Sequence, residues 1–217
     1  MKMKRILNLV LGQLVIALGI SMVINAQLGC FTITMTNLSL SNLTGLSFGL
    51  CSMVIELIVI ICCILMKSKI GVATLFNGIL GGYFIDFILI FLPLPSNFFI
   101  KLAYVIVGCF VFVFGCYLQG QARLGKTSSN LLTACLRKRF GLSITTMKVI
   151  QESLFLIIGL IGASSSFGLA TVILVLFFGK IMDFTYKCLK YDPTKVKHQY
   201  IELPKRKTLK EIIIEGW

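Results

Sequence analysis

Long apolar stretches separated by short polar or basic ones recur along the chain, over about residues 6–24, 48–66, 71–92, 102–121, 144–162 and 168–187. Each approaches the roughly 20 residues that a helix rising 1.5 Å per residue needs to cross a hydrocarbon core of about 30 Å. None alternates like a lipid-facing barrel strand, and every unpaired backbone group in hydrocarbon costs several kcal/mol, so the stretches predict about six transmembrane helices. The expected fold class is therefore all-α, a polytopic integral membrane protein. Hydrophobic residues at 57% and charged residues at 13% agree that lipid is the main solvent.

Basic residues predict the orientation. Lys2, Lys4 and Arg5 precede the first stretch, Lys67 and Lys69 lie between the second and third, and Arg123, Lys126, Arg137, Lys138 and Arg139 lie between the fourth and fifth. The positive-inside rule then puts these loops and both termini in the cytoplasm. The first stretch lacks an A-x-A pattern before Gln27 and is followed by further spans, so it reads as a retained span rather than a cleaved signal. A net charge of +13 raises nucleic acid as a partner, but the basic residues sit beside spans or in the tail with no recognition motif among them. Anionic lipid headgroups explain them, and no nucleic-acid partner is expected. The eight cysteines contain no C-x-x-C and fall mainly in apolar stretches, so they read as small packing groups; no metal and no cofactor is called for.

The apolar pattern is duplicated. At a shift of 96, Gly12, Gly19, Gly29, Gly45, Ser47 and Glu56 match Gly108, Gly115, Gly125, Gly141, Ser143 and Glu152; one inserted residue later, Gly71, Gly82 and Asp86 match Gly168, Gly179 and Asp183. Three spans per unit force the second unit to enter the bilayer from the opposite face, the inverted-repeat logic of many secondary transporters. The expected organisation is a first repeat at 1–95, a second at 96–189 and a basic cytoplasmic tail at 190–217, with a short helix from Thr208 to Glu215 beyond the breakers Pro193 and Pro204. Between the first two spans of each unit lies a segment too short to cross. Thr127 or Ser128 would cap a short helix there, and Phe31 to Leu43, although more alternating, follows its repeat partner. Each is read as an interfacial or re-entrant helix, with a surface connector as the alternative.

Leu28-Gly29, Gly45-Leu46-Ser47 and Ile85-Asp86-Phe87, echoed by Leu124-Gly125, Gly141-Leu142-Ser143 and Glu152, resemble the pattern of the YczE/YitT-type family of bacterial polytopic membrane proteins. The resemblance spans most of residues 6–187. Where that family carries Trp-Asp after the first L-G, this chain has Cys30-Phe31-Thr32, and Gly168-Leu169-Ala170-Thr171 and Gly179-Lys180 also depart from its pattern, which makes it similar to a divergent member. The resemblance implies a membrane or transport protein and supplies no catalytic residues.

Four acids lie inside apolar stretches, where a charge is expensive and marks a candidate pathway. Glu56 and Glu152 sit about nine residues into their spans from opposite faces, near mid-bilayer, and must face the bundle interior. Lys180 is at a similar depth to Glu152 and is a candidate partner; Lys148, one turn before Glu152, competes with it. The position equivalent to Lys180 in the first unit is Tyr83, so Glu56 has no matching cation and is expected to carry a proton while Glu152 stays ionised. Asp183 has Lys180 and Lys187 at helical spacing for an ion pair, and Asp86, without such neighbours, lines an outer vestibule or reaches headgroup water. Gln119, with Gln13, Asn25, Asn77 and Gln121, contributes to a pathway or to interhelical hydrogen bonds. Gly78 and Gly82 form a G-x-x-x-G step suited to close packing.

Gly45-Leu46-Ser47-Phe48-Gly49 fits G-x-S-x-G, but a nucleophile elbow requires a preceding strand and a histidine, and the sole histidine is His198 in the tail. The chain reads as a non-enzyme. The expected function is a small secondary transporter or exporter of an unknown small-molecule substrate, proton-coupled through Glu56, Glu152 and Lys180; the rival is a non-transporting membrane scaffold. A homodimer enclosing the pathway is left open.

Overall fold

The computed structural model describes residues 2–125, 127–163, 167–192 and 196. Lys126, His198, both tail prolines and the expected helix from Thr208 to Glu215 lie outside the described residues. Among those described, the chain forms eight helices: α1 (Lys2–Ala26), α2 (Thr32–Thr44), α3 (Phe48–Leu65), α4 (Val72–Phe91), α5 (Phe98–Ala122), α6 (Ser128–Phe140), α7 (Ile144–Ala163) and α8 (Leu169–Cys188). Five of them, α1 (from Met3), α3, α4, α5 and α8, are long and apolar enough to cross a membrane. α7 is as long as α4 and α8 but carries Lys148, Gln151 and Glu152 in its first half. Outward faces are apolar, including Ile61, Ile90, Ile157 and Leu176, while Gln13, Ser21, Thr74 and Thr171 are buried. Apolar surface outside and polar groups paired inside is the arrangement that lipid selects.

The short helices end by glycine. Gly45 and Gly141 take φ of 73° and 72°, and each donates its N–H to the carbonyl four residues back, closing α2 and α6 in the left-handed conformation that L side chains resist. α3 then starts at Ser47, whose hydroxyl accepts the Leu50 N–H at 3.2 Å; Ser143 accepts the Thr146 N–H at 3.1 Å in the equivalent place.

α1 and α5 form the central pair. A Cβ on Gly19 would lie 2.6 Å from the Gly108 carbonyl oxygen and one on Gly115 2.7 Å from the Ile16 nitrogen, so the backbones themselves are in contact. α4 flanks α1, α8 flanks α5, and α3 lies on α4. α2 packs along α7, whereas α6 packs on α3 and more lightly on α7.

The alternating pattern at 31–43 does not make a strand, because α2 buries its polar side rather than facing water. Thr36 Oγ1 donates to the Phe155 carbonyl (2.7 Å), Ser39 Oγ accepts the Gly162 N–H (2.9 Å) and Asn42 Nδ2 donates to the Gly162 carbonyl (3.0 Å). Six of its thirteen side chains are buried, so α2 is no surface connector.

Several contacts occur as exchanged pairs. The Ala73 N–H donates to the Leu124 carbonyl at 3.0 Å, and the Ala170 N–H to the Leu28 carbonyl at 2.8 Å; shifts of 97 and 96 convert one bond into the other. The pairing α2 with α7 likewise exchanges with α6 on α3. One pairing lacks its counterpart. The Gly49 and Gly82 backbones meet where α3 crosses α4, but Thr145 replaces the Gly49 equivalent, no comparable packing joins α7 to α8, and Gly179 has nothing within 4 Å.

Candidate functional site: carboxylates at the short-helix N-termini

Glu152 on α7 meets the beginning of α2. Thr32, the first residue of that helix, donates its hydroxyl to the Glu152 carboxylate. Four of the N–H groups at a helix start have no intrahelical acceptor, and the dipole there is positive, so a carboxylate is well placed. Lys148 reaches the same carboxylate at 2.7 Å along its own helix face and donates to Ser129 Oγ at 2.9 Å. Ser129 Oγ also accepts from Gln151 Nε2 (2.8 Å), whose Oε1 accepts the Thr133 hydroxyl (2.7 Å), so the chain of hydrogen bonds joins α7 to α6. The lysine and glutamate side chains are 38% and 33% exposed, so the carboxylate is held jointly by the lysine, the Thr32 hydroxyl and the helix terminus.

Glu56 on α3 occupies the exchanged position, beside the start of α6. Its neighbour is Ser128, first residue of α6 and the residue that coincides with Thr32 at the shift of 96. The Ser128 side chain lies against the carboxylate, yet Glu56 Oε2 and Ser128 Oγ are both buried and neither meets a hydrogen-bond partner in good geometry among the described residues. Where α7 has Lys148, α3 has the buried Ser52. The two carboxylates therefore match at a shift of 96 and differ in what holds them, one tied by a lysine and a hydroxyl, the other beside a hydroxyl with no lysine.

The remaining candidate residues lie elsewhere. Lys180 does not reach Glu152: it is exposed on α8, its ammonium 5.3 Å from the centre of the Phe177 ring, because α8 packs on α5 rather than α7. Asp183 is exposed and makes no ion pair with Lys180 or Lys187, which are exposed as well. Asp86 Oδ1 accepts the Gly49 N–H at 2.8 Å and so caps α3. Tyr83 is exposed. Gln119 closes a buried amide cluster, donating through Nε2 to Gln13 Oε1 (2.6 Å) and Asn77 Oδ1 (2.9 Å) and accepting from Asn77 Nδ2 (3.0 Å). Ser47 caps α3 behind a helix, not a strand, so the G-x-S-x-G match builds no elbow.

The residues that sequence reasoning passed over are Thr32, Ser129 and Gln151, with Ser128 considered only as a cap. A signal existed for two of them: Thr32 and Ser128 coincide at the shift of 96, as hydroxyls at the head of both short helices.

The apolar helices mark a membrane-embedded, all-helical protein. Residues 3–187 match the model of a family of unknown function, DUF6198, and the chain belongs to that family. It is also similar to a Haemophilus influenzae protein described as uncharacterized, 25% identical over 183 residues that make up 83% of each chain. No solved structure matches.

Proposed function

We propose that the protein is a small secondary transporter or exporter in a bacterial cell membrane, built from two inverted three-helix repeats with α7 as the sixth span and both termini cytoplasmic. In this reading the repeats rock against each other across the α1–α5 glycine seam, and the YczE/YitT-type proteins are its relatives. The observation that carries it is the exchange of contacts: each mid-helix carboxylate meets the N-terminus of the short helix from the other repeat. Alternating access needs two equivalent gates that close in turn, and the α2–α7 and α6–α3 contacts are such a pair. In this reading the hydrogen bonds along α2 support a closed outer gate, and the poorer geometry between Glu56 and Ser128 supports a looser inner one.

Glu56 is the proton carrier in this scheme, since a buried carboxyl without a cation exchanges protons with a cavity that opens beside it. The test is flux in proteoliposomes with a pH-sensitive dye inside, driven by a solute panel. Glu56→Gln should remove proton movement that accompanies the solute, and unchanged coupling in that variant would rule out the assignment. A scaffold for a membrane or biosynthetic partner is the second reading. It is favoured by the roles of Asp86 as a helix cap and Glu152 as a tethered group. Under it, Glu56→Gln leaves any cellular phenotype intact.

A further inference from the structure

The turn from α3 to α4 and one face of α6 enclose a hollow of about 340 Å³, within the roughly 300–1,000 Å³ typical of ligand sites. Leu131, Cys135 and Lys138 line it from α6, at the i, i+4 and i+7 positions of a single face. Lys67, Ser68 and Lys69 line it from the turn. Its floor is apolar, for Leu131 and Cys135 belong to the buried cluster that joins α6 to α3. Its lining includes three lysines and a serine. No acidic residue lines it, and none of the three lysines forms an ion pair among the described residues.

The turn is held in place by its own hydrogen bonds. Lys67 N–H donates to the Ile64 carbonyl (2.9 Å) and Ser68 N–H to the Cys63 carbonyl (3.0 Å), and Lys67 has a φ of 54°, in the region that usually falls to glycine or asparagine. The lysine pair therefore brackets Ser68 at a defined place at the end of a span. The last turns of α3 leading there expose Ile61 and Leu65. Three cations above an apolar floor, at the end of a membrane helix, match an anion that carries its own hydrocarbon.

We propose that this hollow binds the phosphate of an anionic phospholipid headgroup, with the acyl chains against the apolar flank. Phosphate oxygens accept from the three ammonium groups and the Ser68 hydroxyl, and the low-dielectric floor strengthens those contacts relative to open water. The site does not depend on transport, and its failure would leave the reading of Glu56 untouched.

The test uses the full chain purified in detergent, with lipid retention followed by native mass spectrometry and stability by thermal unfolding. Phosphatidylglycerol should bind at one per chain and raise the unfolding temperature, at least about tenfold more tightly than phosphatidylcholine of the same acyl length. Lys67→Gln/Lys69→Gln/Lys138→Gln should lose that preference. Arg137→Gln/Arg139→Gln, from the same helix end but outside the hollow, should keep it. Ser68→Asp, which retains all three lysines and adds a negative charge among them, should block binding even if the triple variant fails to fold. Equal loss in the arginine variant would overturn the proposal as diffuse charge attraction, and equal stabilisation by inorganic phosphate alone would overturn the lipid assignment in favour of a free anion.

Discussion

Gly82 and Gly179 are equivalent positions with opposite surroundings, and alanine at each should change stability in opposite directions. A Cβ on Gly82 would lie 2.8 Å from both the Cα and the carbonyl carbon of Gly49, and nearer still to that residue's oxygen. Real Cβ atoms essentially never come within 3.0 Å of another heavy atom, so the α3 and α4 backbones must separate by several tenths of an ångström, and the obstacle is backbone with no flexible side chain to yield. Overpacking of this kind costs about 1–3 kcal/mol, with Gly82→Ala toward the upper end because the obstacle is backbone. The Asp86 cap on Gly49 N–H would be strained with it, adding a share of the roughly 1.5–3 kcal/mol of a charge-assisted bond. At Gly179 nothing lies within 4 Å, and alanine gains up to about 1 kcal/mol of helix propensity. The two variants should therefore differ by about 2–4 kcal/mol in reversible unfolding in mixed micelles or bilayers. Equal destabilisation would mean that α7 and α8 close on one another as α3 and α4 do, and the asymmetry described here would be lost.

Further predictions concern the polar interior. Thr32→Val keeps the shape of the side chain and removes the hydroxyl from Glu152, so stability should fall by about 1–3 kcal/mol; Ser128→Ala, which breaks no completed bond, should cost well under 1 kcal/mol in the same unfolding assay. If the two variants behave alike, Glu152 and Glu56 are held alike. Asn77→Leu strands Gln119 and should cost about 1–3 kcal/mol, whereas Gln13→Cys/Asn77→Leu/Gln119→Val installs the apolar set that the other repeat uses at Cys109, Leu174 and Val23. The triple variant should recover most of that loss. A strictly additive penalty would show that the amides do more than satisfy one another.

Long spans and the two short helices were legible because each rests on local chemistry. A 20-residue apolar run has few alternatives in lipid, and Gly45 and Gly141 stop α2 and α6 wherever those helices are placed. The helix bounds accordingly agree with the apolar pattern to within a few residues. Duplication was legible too, as the coincidence of glycines and acids at shifts of 96 and 97.

Lys148 was legible as a partner of Glu152, one turn away on the same helix face, but partners on other helices were not. Depth along a span says how far a side chain lies from a membrane face and nothing about which way it points, so Lys180 and Glu152 matched in depth but face apart. Asp86 and Asp183 have the same place in the repeat, yet one caps a helix and the other is exposed, because Gly49 is paired with Thr145 and only the glycine admits a neighbouring backbone. Sequence alone determined what must be solvated by lipid and where helices end, since those depend on composition and backbone rules within one segment. Tertiary structure decided which helix start each glutamate meets and which repeat packs tightly, since those depend on contacts between residues 37 to 120 positions apart.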